Sequence, residues 1–77
     1  MSAVRKHSVT IRGHRTSFSL EDAFFIELEQ MAARRSIPLA GLIAEIDAAR
    51  PRSTNLSSAL RLYVLEWFTG KQPGPLA

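Results

Sequence analysis

The sequence has no cysteine, one tryptophan, one tyrosine and no apolar run near the roughly 18 residues that span a bilayer. Without cysteine, the chain has neither a disulfide scaffold nor a thiolate metal site, which is compatible with a reducing cytosol. Its start also lacks the apolar segment of a signal peptide. We therefore expect a cytoplasmic protein, and its 77 residues predict one small domain that oligomerisation can stabilise.

Acidic residues are missing from the first twenty positions. Residues 1–20 hold four cations and no acid, a net charge of +4, whereas the other 57 residues hold six basic and seven acidic side chains, a net charge of −1. A basic N-terminal segment suits a phosphate backbone, although a solvated leader that only aids solubility explains it equally well. We expect a flexible basic arm over residues 1–6, a single domain over residues 7–70 and a tail over residues 71–77.

Residue patterns that carry catalysis or bind metal are also missing. His7 and His14 have no acid or second histidine at ligand spacing, so exposed loop positions explain them better than a metal site or a general base. The four glycines are scattered and form no phosphate-binding loop. The sequence therefore predicts no enzyme activity, no cofactor, no metal site and no catalytic residue.

Two runs near the N-terminus alternate apolar and polar residues, which predicts strands with one buried face. They cover residues 7–12 and 15–20, and Gly13-His14 between them suits a type II′ hairpin loop. In this register Arg12 lies opposite Arg15. The predicted buried face holds Val9, Ile11, Thr16 and Phe18, and the predicted outward face holds Ser8, Thr10, Arg12, Arg15, Ser17 and Ser19.

Three helices are predicted after the strands. The first runs from Leu20–Asp22 to Arg34–Arg35, and the second begins at Pro38 after a Ser36-Ile37-Pro38 turn. The third runs from about Leu56 to Phe68, with Thr54 or Asn55 as N-cap and Gly70 at its end. We expect a shared core of Phe18, Leu28, Leu42 and Ile46.

The predicted third helix is apolar on two sides. One side holds Leu56, Leu60, Tyr63, Val64 and Trp67, and the other holds Leu62, Leu65 and Phe68. A helix with two apolar faces needs two coverings, so we expect its own domain to cover one and a partner subunit the other.

The order of strand, helix, tight turn and helix over residues 15–50 resembles the ribbon-helix-helix DNA-binding family, as in Arc-like and methionine-repressor-like domains. The resemblance implies a mostly helical fold with a short N-terminal hairpin or ribbon, here extended by a third helix, in an intertwined homodimer. In that family the strand pairs with its copy in a second subunit, and this ribbon enters the major groove. Carried over to this sequence, the base readers are Arg15, Ser17 and Ser19. Phosphate contacts are expected from Arg12, Lys6 and Arg5.

The predicted hairpin conflicts with a simple ribbon. Two hairpins paired through their second strands form four strands, which span roughly 14 Å against a major groove about 12 Å wide. Either residues 7–12 detach or bend away on DNA, or only Arg12 and Arg15 contact phosphate at the rim, or the surface binds something else.

Two functions from different classes remain open. The first is a homodimeric DNA-binding protein that acts as a transcriptional repressor by occupying an operator on double-stranded DNA. The second is a small protein-interaction or antitoxin-like adaptor that holds a protein partner with its apolar third helix. The basic, acid-free ribbon favours the first, and the width of the hairpin together with the apolar third helix favours the second.

Overall fold

The computed structural model describes residues 3–70, which form two strands followed by three helices. The elements are β1 (Val4–Ile11), β2 (His14–Glu21), α1 (Asp22–Arg34), α2 (Leu39–Ala49) and α3 (Leu56–Thr69). The strands form one antiparallel sheet, and one face of it is buried against the helices. The predicted class, a mostly helical chain with an N-terminal hairpin and a third helix, is confirmed. The predicted tail and the first two residues of the predicted arm lie outside the described residues.

The hairpin turn differs from the predicted one. Its loop is Arg12-Gly13, with φ angles of 50° and 80°, and positive φ at both loop positions is typical of a type I′ turn. Ile11 pairs with His14 and Thr10 with Arg15, so the predicted register is wrong by two residues and Arg12 does not face Arg15. Because side chains alternate with a period of two, this shift leaves the predicted faces of both strands unchanged.

The first strand begins earlier than predicted. β1 starts at Val4, so Arg5 and Lys6 belong to the sheet, although the sequence analysis places them in a flexible arm. The Asp22 backbone N–H donates to the Ala3 carbonyl at 2.9 Å, which joins the start of β1 to the start of α1. Arg5 and Lys6 therefore have defined positions in β1, each paired with a residue of β2.

The sequence analysis predicts His7 at an exposed loop position, and this prediction is wrong. His7 is half-buried on the helix-facing side of β1. Its ring stacks on Phe25, with ring centroids 4.0 Å apart, and on Phe18 at 5.3 Å. Within residues 3–70, His7 Nε2 is buried without a hydrogen-bond partner. The alternation of β1 explains this position, since His7, Val9 and Ile11 share one side of the strand.

The turn between α1 and α2 lies where the sequence predicts it. Ser36 adopts a φ of 57°, and the Ile37 N–H closes the end of α1 by donating to the Ala32 carbonyl at 3.1 Å. Pro38 is the N-cap of α2 and not its first residue, because its ψ of 151° is extended. Its carbonyl accepts the first hydrogen bonds of the helix, and no side chain caps this end.

The third helix has the predicted caps. The Asn55 side chain accepts a hydrogen bond from the Ser58 N–H at 2.8 Å, and Gly70 ends the helix with a φ of 75°. Arg50 bridges the end of α2 and the loop that precedes α3. Its Nε donates to Asp47 at 2.8 Å, and its Nη1 donates to the Thr54 carbonyl at 2.6 Å.

One hydrophobic core joins both strands to all three helices. The predicted core residues Phe18, Leu28, Leu42 and Ile46 are all buried, which confirms that prediction. The other buried members are Ile11, Leu20, Met31, Ala32, Ile43, Leu56, Ala59, Leu60 and Val64.

One side of α3 is apolar but does not pack in this core, so its side chains are exposed to solvent. Leu62, Leu65 and Phe68 are 48%, 53% and 62% exposed, as predicted for a helix that is apolar on two sides. Trp67, at 38% exposed, belongs with them and not with the buried side where the sequence analysis places it. In residues 3–70 no helix is both long and apolar enough to cross a membrane.

Candidate nucleic-acid interface

One face of the hairpin presents six polar side chains to solvent, between the turn and the Val4–Glu21 pair at the far end. Its six side chains, which we call the outer face, form three cross-strand pairs: Lys6 with Ser19, Ser8 with Ser17, and Thr10 with Arg15. All six residues are exposed, and none is acidic. Hydroxyl groups between cations can bond both base edges and phosphate oxygens, so this face has the chemistry of a nucleic-acid surface.

The tip of the hairpin adds a third cation to this face. Arg12 is exposed in the turn, next to Gly13, and His14 is exposed immediately after it. Within residues 3–70, neither Lys6, Arg12 nor Arg15 forms an ion pair. Their charges are therefore available to an anion such as a phosphate backbone.

Arg5 is separated from the other predicted site residues. It pairs with Leu20 across the sheet, so it lies on the opposite face from Lys6. Its Nε contacts both carboxylate oxygens of Asp22, at 3.0 and 3.1 Å. This ion pair holds the Arg5 side chain at Asp22. The structure therefore groups Arg12, Lys6, Arg15, Ser17 and Ser19 but leaves Arg5 outside the group.

Two residues of the outer face had no assigned role in the sequence analysis. Ser8 and Thr10 come from β1, where the alternation places them on the outward side, but the family resemblance draws its readers from the second strand alone. In the structure they lie directly opposite Ser17 and Arg15. The alternation of Ser8 and Thr10 with apolar residues in β1 could have identified them as members of the same surface.

The outer edge of β2 contacts the first turns of α3. The Ser19 backbone N–H donates to Ser57 Oγ at 3.0 Å, and Arg61 Nη2 reaches the Ser19 carbonyl at 3.5 Å. Arg61 Nε also donates to Glu21 Oε1 at 2.8 Å. We call these contacts of Ser57 and Arg61 the α3 clamp. Sequence periodicity does not reveal the clamp, because it joins residues about forty positions apart.

The clamp changes the electrostatics at the end of the hairpin. The hydrogen bond from Arg61 lowers the pKa of the Glu21 carboxyl below its ordinary value, and a backbone hydrogen bond of Glu21 contributes further. The Glu21 carboxylate thus points toward α3, where it is paired with Arg61. It is the only acid on this side of the described hairpin, at the end away from the turn.

A groove lies between α2 and α3, and none of the residues that line it belongs to the hairpin. Its volume is about 560 Å³, and its walls include Ile46, Leu62 and Tyr63. At one side Arg35 and Glu45 form a bidentate ion pair, at 2.8 and 3.0 Å, which lowers the pKa of the Glu45 carboxyl and raises that of Arg35. In the part of the chain that the structure describes, no group of three or more His, Asp or Glu residues could hold a metal ion.

Comparison with known families agrees with this geometry. The family model for the ribbon-helix-helix domain matches residues 4–68, from the first residue of β1 to the last turn of α3. The chain belongs to the ribbon-helix-helix family. The matched range includes α3, so this helix is part of the matched domain, although the sequence analysis treats it as an extension.

Family membership indicates a DNA-binding transcription regulator. No curated protein and no solved structure matches the chain. The outer face is the described surface whose chemistry fits this class of function, since it combines three unpaired cations with a row of hydroxyl groups.

Proposed function

We propose that the protein is a homodimeric transcriptional repressor that binds double-stranded DNA in the major groove with the outer face of its hairpin. The observation that carries this proposal is the basic outer face: its six side chains include no acid, and Lys6, Arg12 and Arg15 form no ion pair within residues 3–70. Occupying an operator is sufficient for repression. Such a regulator acts where the chromosome is, so we place it in the cytoplasm.

The roles within the outer face follow from side-chain chemistry. Arg15 is the proposed base reader, because a guanidinium can bond both major-groove acceptors of guanine, and Ser17 and Ser19 are its adaptable neighbours. Lys6 at the far end and Arg12 in the turn are the proposed phosphate contacts. Arg5 contributes less, since Asp22 holds its side chain on the other face.

The matched pair of variants Arg15→Ala and Lys6→Ala tests these roles. Selection from a random duplex library supplies a preferred sequence, and binding is then measured on it and on a scrambled duplex across a salt series. We expect Arg15→Ala to cost about 1–3 kcal/mol on the preferred duplex and to relax one base position. Lys6→Ala should weaken both duplexes alike and lower the salt slope by about 0.9.

Two outcomes contradict this assignment. If Arg15→Ala leaves the ratio between preferred and scrambled duplexes unchanged, Arg15 is a phosphate contact and not a reader. If the wild-type protein shows no salt-sensitive binding to any duplex, the DNA proposal itself is wrong.

A second candidate function is a protein-interaction or antitoxin-like adaptor. The exposed side chains of Leu62, Leu65 and Phe68 and the groove beside Tyr63 favour it, because a soluble chain seldom leaves clustered apolar residues uncovered. In the homodimer proposal a second copy of this chain covers them. An absence of DNA binding together with a stable complex with another protein supports the adaptor instead.

A further inference from the structure

We propose that β1 is a phosphate-binding strand, whose Ser8 and Thr10 contact the DNA backbone along the edges of the major groove while β2 reads the bases. The inference rests on the proposed DNA binding and on the ribbon of the family, in which the strand pairs with its copy in a second subunit. It gives a role to the two residues of the outer face that have none. It also implies that β1 stays paired with β2 on DNA.

The first support is the width of the sheet in such a dimer. Pairing of the two β2 strands places them at the centre, and each β1 then lies outside the β2 of its own chain. With strands about 4.8 Å apart, the two β1 strands lie about 7 Å from the central axis, whereas the walls of a groove about 12 Å wide lie about 6 Å from it. β1 therefore meets the phosphate-lined edge of the groove and not its floor.

The second support is the direction of the backbone groups in the hairpin. Ile11 and His14 close the two-residue turn as a hydrogen-bonded pair, and such pairs alternate along an antiparallel ladder. The residues of the outer face belong to the other pairs, so their backbone groups point away from the neighbouring strand. On β2 these groups serve the second subunit, and the Ser19 N–H exchanges Ser57 Oγ for the second β2 strand. On β1 they face the outer edge of the sheet.

The third support is the set of free donors along this outer edge. Within residues 3–70, neither the hydroxyl nor the outward N–H of Ser8 or Thr10 has a hydrogen-bond partner. Each residue thus offers two donors of the kinds that commonly bind phosphate oxygens, and Lys6 adds a charge on the same strand. A guanidinium, which suits base reading, occurs on the strands of the outer face only at Arg15, in β2.

The inward face of β1 holds the strand on the sheet. The His7 ring stacks on Phe25 at 4.0 Å, the Arg5 Nε contacts Asp22 at 3.0 Å, and Ile11 is buried in the core. Detachment of β1 on DNA breaks these contacts and exposes an apolar side chain to water. Binding of phosphate by the outer edge leaves all of them intact.

Removing single hydroxyl groups from the hairpin tests the inference. Thr10→Val and Ser8→Ala are the test variants, since both residues are exposed on the outer face. Thr16→Val is the matched control, because Thr16 lies on the opposite face of the same hairpin. Binding is measured on the preferred and the scrambled duplex across the same salt series, and circular dichroism reports whether each variant is folded.

We expect Thr10→Val and Ser8→Ala each to weaken binding about fivefold to tenfold, on both duplexes alike. A hydroxyl group carries no charge, so neither change should alter the salt slope, whereas Lys6→Ala lowers it. Thr16→Val should bind as wild type does.

Three results separate this inference from the proposed function. If either test variant binds as tightly as Thr16→Val, the inference is overturned while the DNA proposal stands. A changed ratio between the two duplexes also overturns it, because the residue then reads a base. If wild type does not bind DNA, both are wrong.

A measurement on the wild-type complex decides the case even if a variant does not fold. NMR detects the DNA protons that lie close to the Thr10 methyl group and the Ser8 β-protons. Contacts with protons of the sugar–phosphate backbone support the inference. Contacts with base protons in the groove, or no contact with DNA, overturn it.

Discussion

Phe18 is the residue at which the two faces of the hairpin can be compared directly. Its side chain is 4% exposed and packs in the core, with the His7 ring stacked 5.3 Å away, while its neighbour Ser17 is exposed on the outer face. Adjacent positions of one strand thus belong to the core and to the proposed recognition surface.

We expect Phe18→Ala to destabilise the protein by about 3–5 kcal/mol, because it removes a large buried ring and leaves a cavity. Ser17→Ala should change stability by less than about 0.5 kcal/mol, since its side chain is exposed. Urea unfolding followed by circular dichroism measures both. A loss of 3–5 kcal/mol is a large part of the roughly 5–15 kcal/mol that stabilises a domain, and equal effects of the two changes contradict the assigned faces.

At the scale of single elements, alternation and helical spacing predicted faces well and pairing less well. Phe18, Leu28, Leu42 and Ile46 were predicted in the core because each lies on an apolar stripe set by local sequence. The predicted register was wrong because the sequence analysis placed Gly13 first in a Gly13-His14 loop. In the structure Arg12 adopts a positive φ as the first loop residue, and Gly13 is the second.

Contacts between distant elements could not be predicted in the same way. Ser57 and Arg61 lie on a helix whose apolar pattern says nothing of β2, and their hydrogen bonds to Ser19 and Glu21 depend on how α3 packs. The same limit applies to the ion pair of Arg5, which follows from the pairing of β1 with β2 and the start of α1 at Asp22.

The α3 clamp predicts a pH dependence of stability. Arg61 lowers the pKa of Glu21 in the folded protein below the ordinary 4.5, so folding favours the ionised carboxylate. The resulting stabilisation is fully present above pH 4.5 and is lost as the pH falls through the lowered pKa. The exposure of this pair to solvent makes the contribution small.

We therefore expect Glu21→Gln to lower the unfolding midpoint modestly at neutral pH, and the difference from wild type to disappear well below pH 4.5. Thermal unfolding across a pH series measures it. Glu29→Gln is the matched control, because Glu29 is exposed on α1 and forms no ion pair within residues 3–70. An equal loss at all pH values shows that the carboxylate charge is not what joins α3 to β2.

At the scale of the whole molecule, two surfaces of different chemistry need different partners. The outer face is polar and basic, while the exposed side of α3 holds Leu62, Leu65, Trp67 and Phe68. Arg61 of the clamp precedes Leu65 by four residues, about 6 Å along the helix and on the same side, so the apolar surface continues from the clamp toward the end of α3. In the proposed homodimer, a second copy covers the apolar surface and the outer face binds DNA.

We expect wild type to scatter light as a dimer, with twice the 8.6 kDa mass of one chain, and the double variant Leu65→Gln with Phe68→Gln to scatter as a monomer. These substitutions remove the most exposed apolar side chains of α3 and leave the net charge unchanged, so a change in DNA binding cannot come from charge. Ala33→Gln, on an exposed position of α1, is the control and should stay dimeric.

The monomeric variant also connects assembly with DNA recognition. Two linked hairpins bind two half-sites with the advantage of high effective concentration, so the variant should bind a duplex with paired half-sites much more weakly than wild type does. Its affinity for a single half-site should be unchanged, because the outer face is intact. A variant that remains a dimer shows that another surface joins the subunits, and a monomeric wild type shows that the exposed side of α3 serves a different partner.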